Sequence, residues 1–142
     1  MDSFSDLSKQ EKDTRLWASV CHFIPLVVVI GDWFSHSLAN IWAPALIWLF
    51  FRNRDEFVVA NARESVNFQI AITSYLVIFF LLLYSPLKVG LIPQGWYYGI
   101  LVFIVTLALV FVVMMIQASV LAIRGESHRY VLIYRLFRSK SV

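Results

Sequence analysis

Asn61-Ala62-Arg63-Glu64-Ser65-Val66-Asn67-Phe68-Gln69 leads straight into Ile70 to Tyr84, a run with no charged side chain. Charged and amide groups therefore continue for a helical turn or two into a segment that otherwise reads as lipid-soluble. Polar side chains at membrane depth are costly unless they face protein or water. The stretch reads as the polar entrance to a membrane helix, and its polar groups ask for partners on neighbouring helices.

The rest of the chain agrees with a membrane setting. Of its 142 residues 60% are hydrophobic and 15% charged, against roughly 45–50% and about 25% in soluble domains. No charge stands between Ser65 and Leu87, or between Val89 and Ile123. Uncharged apolar runs of about 18 residues or more indicate membrane helices. The net charge of +3 is small and dispersed, so nucleic acid is not an expected partner and anionic lipid headgroups are. The single cysteine, Cys21, excludes an internal disulfide, and no metal or redox motif is present.

Four spans follow from the pattern, at about 16–34, 38–51, 64–85 and 96–123. They make an all-α integral membrane four-helix bundle over 15–126. A polar leader, 1–14, precedes it, and a basic aromatic tail, 127–142, follows. The leader lacks the layout of a secretory signal, so the first apolar segment is expected to be retained. Pro25 should kink the first span, and a neighbouring group must then satisfy the carbonyl it frees. The second span is short: Ile41 to Phe51 gives about 16 Å of helix against a hydrocarbon core of ~30 Å. Asn61 and Glu64 have capping-box spacing, with Asn in place of Ser or Thr. That predicts a third helix starting near Ala62 and stopped by Ser85-Pro86. Arg124-Gly125-Glu126 ends the fourth.

Eleven of the 12 Lys and Arg fall in the leader, the middle loop or the tail, and only Lys88 falls in the loop opposite. The positive-inside rule then places both termini in the cytoplasm. The expected location is a bacterial inner membrane. In the tail, Arg129, Arg135, Arg138 and Lys140 are expected to meet lipid headgroups.

His22 lies seven residues past Arg15 and Gln117 seven before Arg124, each about 10 Å in at helical rise. With Glu64, Asn67 and Gln69 they form a candidate polar cluster in the cytoplasmic half of the bundle. Interhelical hydrogen bonding is the commonest use of such groups, and Glu64 reads as an interfacial cap. Ala118 and Ala122 would allow close helix approach. No nucleophile with a base, phosphate loop or metal-ligand cluster is present. The expectation is a protein without catalytic activity, cofactor or metal.

Several patterns together resemble a known family. They are Trp17-Ala18…His22, Asn40-Ile41…Pro44…Ile47-Trp48, Glu64-x-x-Asn67-Phe68-Gln69 and Gly125-Glu126…Arg129-Tyr130…Ile133…Arg135. The chain resembles small bacterial membrane proteins grouped as domain of unknown function forty-eight-seventy, which are similar to the Tic-twenty component of the chloroplast inner-envelope translocon. The resemblance implies a four-helix membrane fold and a scaffold or accessory role in membrane protein translocation or assembly. Self-association, or binding to another membrane protein, is expected with it. The alternative is a small channel or carrier whose polar cluster lines a cytoplasmic-side cavity.

Overall fold

The computed structural model describes residues 4–31, 39–91, 93, 95–130, 133 and 137. Among them the secondary structure is helical throughout. Helix α1 runs Lys9–Gly31, α2 Ala39–Phe51 and α3 Glu56–Phe79. A π-helical turn, Phe80–Tyr84, joins α3 to α4, Ser85–Lys88, and α5 runs Trp96–Ile123. Two rods are long and apolar enough to cross a membrane: Glu56–Lys88 and Trp96–Ile123. Helix α2 is apolar but shorter. Among the described residues two candidate spans are therefore present, and the expected four-span bundle is not shown.

The helix starts follow local chemistry. Ser8 and Glu11 form a capping box: the Ser8 backbone N–H donates to Glu11 Oε2 at 3.0 Å, and the Glu11 N–H donates to Ser8 Oγ at 3.3 Å. Helix α3 begins at Glu56, well before Ala62. Its N-cap is Asp55, whose Oδ1 accepts from the N–H groups of Phe57 and Val58 at 3.0 and 3.1 Å. Asp55 takes the end because Phe51 closes the turn before it, accepting from the N–H groups of Arg54 and Asp55. Asn61 is left inside the helix.

The rod does not stop at Ser85-Pro86. The Ser85 N–H reaches back five residues to Phe80 C=O, and this wider turn accommodates Pro86, which lacks the N–H that a regular α turn would need. At the far end of α5, Gly125 sits at φ 84°. Its N–H donates to Ala122 C=O, and the Glu126 N–H donates to Leu121 C=O, a Schellman closure that favours glycine. The Arg15 side chain lies across Gly125, with Cζ 2.9 Å from where a Cβ would stand.

The buried residues are gathered at one end. Helix α1 packs on α2, α3 and α5, and α2 packs on α3. Buried side chains come from Ala18–Leu26, Pro44 and Ile47, Val58–Ala71, Met115–Ala122 and Tyr130. Between Ile72 and Met114 no described residue is buried. The chain is a packed base from which two apolar rods project. Ala18, Ala118 and Ala122 are fully buried where α1 meets α5, and Ser19 Oγ and Ser119 Oγ lie 2.6 Å apart across that contact.

Candidate functional site

Pro25 stands in the interior of α1 and gives no N–H to the carbonyl four residues back, that of Cys21. Ser65 Oγ, from α3, donates to this carbonyl at 2.6 Å. The kink residue and the helix that crosses it are thus joined at the same point, and the polar interior is built around them.

Next to that contact, His22 is fully buried. Its Nε2 is 3.0 Å from Asn61 Oδ1, and its Nδ1 is 3.0 Å from the Tyr130 hydroxyl. Asn61 Nδ2 donates to Phe57 C=O at 2.9 Å, so its Oδ1 is the acceptor. Directions then follow along the chain of bonds. Nε2–H donates to Asn61, and Nδ1 accepts from the Tyr130 O–H. This is a neutral imidazole in one tautomer, with both nitrogens used. Burial, with the Glu64 carboxylate second, pushes the Tyr130 phenol above its usual range, which keeps the donor protonated.

Tyr130 ties the end of α5 to this interior. Its ring stacks on Phe68 with centroids 3.8 Å apart, and His128 meets its edge. Its backbone N–H donates to Glu64 Oε1 at 2.9 Å. Glu64 is therefore a mid-helix anchor for the chain after α5 rather than a helix cap. Asn67 does similar work: Nδ2 donates to Phe137 C=O and Oδ1 accepts from the Phe137 N–H, both at 3.0 Å. Asn67 thereby offers Phe137 both halves of a backbone pair.

Gln69 faces another way. Asn40 Nδ2 donates to Gln69 Oε1 at 3.2 Å, and Gln69 Nε2 donates to the Met115 thioether at 3.2 Å. These amides lie at the floor of a groove of about 540 Å³ between α3 and α5.

Of the five residues expected to share one cluster, His22, Asn67 and Gln69 are buried and Glu64 half-buried, while Gln117 is exposed. Gln117 lies on the side of α5 away from the buried positions, Met115, Ala118, Ser119 and Ala122. His22 and Glu64 are joined through Tyr130, whereas Asn67 and Gln69 hold separate partners. Asn61 and Tyr130 are central members that sequence reasoning placed elsewhere, one as a cap and the other in the basic aromatic tail. Arg129 is exposed, whereas Arg135, Arg138 and Lys140 lie outside the described residues. Among the described residues no group of His, Cys, Asp and Glu has a metal-holding arrangement.

The model of one protein family, described as the magnetosome magnetite crystal formation protein family, matches residues 13–137. This overturns the resemblance to the domain-of-unknown-function and Tic-twenty-like proteins, and the translocation role that it implied goes with it. No curated protein and no solved structure matches. The chain belongs to the magnetosome magnetite crystal formation protein family.

Proposed function

We propose that this chain is a non-enzymatic, multi-pass protein of the magnetosome membrane that takes part in magnetite crystal formation as a scaffold or accessory subunit. The family match over residues 13–137 carries the reading. Two apolar rods long enough to cross a membrane support it, and so does the small size of the loops, which leave little room for a soluble active site.

The polar interior supports a structural part over a conducting one. Among the described residues, His22, Asn61, Glu64 and Asn67 hydrogen-bond to Tyr130, to backbone and to one another. Gln117 faces away from them. The cluster holds α1, α3 and the segment after α5 in one arrangement, each bond contributing about 0.6 to 2 kcal/mol in a membrane setting. The excess of Lys and Arg at the packed base favours an orientation with that base in the cytoplasm and the rod tips toward the compartment where mineral forms.

Deletion of the gene in a magnetosome-forming bacterium tests the proposal. Electron microscopy should show crystals altered in size or shape, restored by the wild-type chain, and a fluorescent fusion should follow the magnetosomes. Unchanged crystals, with the fusion spread over other membranes, would overturn it.

A further inference from the structure

We propose that the cavity between the start of α1 and the α2–α3 turn holds the headgroup of phosphatidylethanolamine, with Lys9 and Arg54 on its phosphate and Asp13 on its ammonium. The cavity measures about 440 Å³, within the usual range of roughly 300–1,000 Å³ for small-molecule sites. It exists because Lys9, Asp13 and Trp17 recur every fourth residue on α1 and so share one face. That face meets the turn that supplies Phe51, Arg54 and Asp55. The Trp17 and Phe51 rings join the two sides, with centroids 5.4 Å apart, and the Thr14–Asp55 hydrogen bond fixes them.

Three features select the ligand. The first is charge without an ionic partner. Among the described residues Lys9, Asp13 and Arg54 make no ion pair. Lys9 and Asp13 are one turn apart, but with the cation first, the weaker order for a helical pair. Arg54 rests on the Phe50 ring, its Cζ 4.3 Å from the centroid, and a stacked guanidinium keeps its edge N–H groups for an anion. The second is balance. The lining carries two cations, Lys9 and Arg54, and two carboxylates, Asp13 and Asp55. Asp55 is already committed to Thr14 and to the N–H groups of Phe57 and Val58, so Asp13 is the carboxylate left for a cation. A neutral lining that offers both signs suits a zwitterion. An anionic headgroup would meet Asp13 with like charge, and a trimethylammonium has no N–H to donate to it. The third is place. Trp17 stands two residues past Arg15, and Phe51 stands directly before Arg52. The cavity thus lies where both helices pass from charged to apolar sequence, the setting in which aromatic side chains meet headgroups. Trp17 and Phe50 are exposed and give the acyl chains an apolar surface.

The test places the full chain in nanodiscs made of equal parts phosphatidylethanolamine, phosphatidylcholine and phosphatidylglycerol. Native mass spectrometry then counts the lipids that stay bound on release. The wild type should keep one phosphatidylethanolamine, preferred about tenfold over either other lipid. Arg54→Gln should weaken retention about tenfold, the loss of one charge-assisted contact, and Arg54→Lys should keep most of it. Asp13→Asn should erase the preference over phosphatidylcholine and turn the site toward phosphatidylglycerol. Arg129→Gln removes an exposed cation outside the cavity and should change nothing. Thermal midpoints in lipid-free detergent should match the wild type for every variant. Phosphatidylglycerol retained first by the wild type would overturn the proposal, because the base would then collect anionic lipid by its net charge alone. So would equal retention of the three lipids, or a loss in Arg129→Gln as large as that in Arg54→Gln. Displacement by an equal concentration of soluble phosphoethanolamine would overturn the membrane source of the ligand.

Discussion

Ser65 Oγ donates to the Cys21 carbonyl at 2.6 Å, and Cys21 is the residue whose carbonyl Pro25 leaves without its helical partner. A proline that weakens one helix thus creates the acceptor that docks a second. Ser65→Ala should cost about 1–2 kcal/mol, an unsatisfied buried carbonyl offset in part by its membrane reference state. In a Pro25→Ala background residue 25 regains its N–H, so the same Ser65→Ala should cost much less. Thermal unfolding of the four proteins in detergent measures the cycle. Equal costs in both backgrounds would show that the proline is not what Ser65 answers.

Tyr130 combines a stacked ring and a hydroxyl, and the two can be separated. Tyr130→Phe keeps the stack on Phe68 and removes the donor to His22 Nδ1. The expected loss is about 0.5–1.5 kcal/mol. Tyr130→Ala also empties a site that is 2% exposed, and cavities from large aromatics cost about 3–5 kcal/mol. Denaturation midpoints should rank wild type, Tyr130→Phe and Tyr130→Ala in that order. A Phe variant as damaged as the Ala variant would mean that the hydroxyl, not the packing, holds the chain after α5.

Hydropathy made the apolar helices legible, and the need to satisfy the carbonyl freed by Pro25 was legible from the proline alone. Direction around a helix was harder. Gln117 is one residue from fully buried Ala118, about 100° round the helix, and a nearly uniform apolar surface gives no amphipathic stripe to orient it. The start of α3 was misplaced near Ala62 because Asn61 and Glu64 have capping-box spacing, whereas the turn at Phe51 sets Asp55 at the helix end. Tyr130 was out of reach, since no periodicity shows that a residue past a helix end folds back onto Phe68.

Asp55 gives a test of that helix start. Its Oδ1 accepts from two backbone N–H groups, and its Oδ2 accepts from Thr14 Oγ1 at 2.7 Å, linking α3 to α1. Asp55→Ala should lower stability by about 0.5–2 kcal/mol, the usual range for a lost cap. Asp55→Asn retains a capping oxygen and should recover most of it. Hydrogen exchange at Phe57 and Val58 should quicken in the Ala variant alone. Protection unaltered by Asp55→Ala would shift the cap elsewhere.

The Ser8–Glu11 box should respond to acid. The Ser8 hydroxyl, then its backbone N–H, hold the Glu11 carboxyl below its ordinary value of 4.5. A carboxylate lowered in the folded state stabilises above that ordinary value, and the contribution is lost as pH falls through the lowered one. Amide exchange in the first turn of α1, corrected for intrinsic rates, should therefore be protected near neutrality and open in acid. Glu11→Gln should show little of this pH dependence. Wild-type protection that does not fall in acid would show that the box does not hold the turn.

Gln117 separates the structural reading of the polar interior from the conducting one. It is exposed on α5, where an amide facing lipid is a liability rather than a contact. Gln117→Leu should leave the thermal midpoint unchanged or raise it, within the ~0.5 kcal/mol typical of exposed positions. Proteoliposomes carrying either form should show the same proton permeability as empty vesicles. Gln69→Leu makes the contrast, because it removes a buried amide and strands Asn40 Nδ2 without its acceptor. A flux in the wild type that Gln117→Leu abolishes would return the interior to a carrier. A fall in stability would instead place a partner on the exposed face of α5.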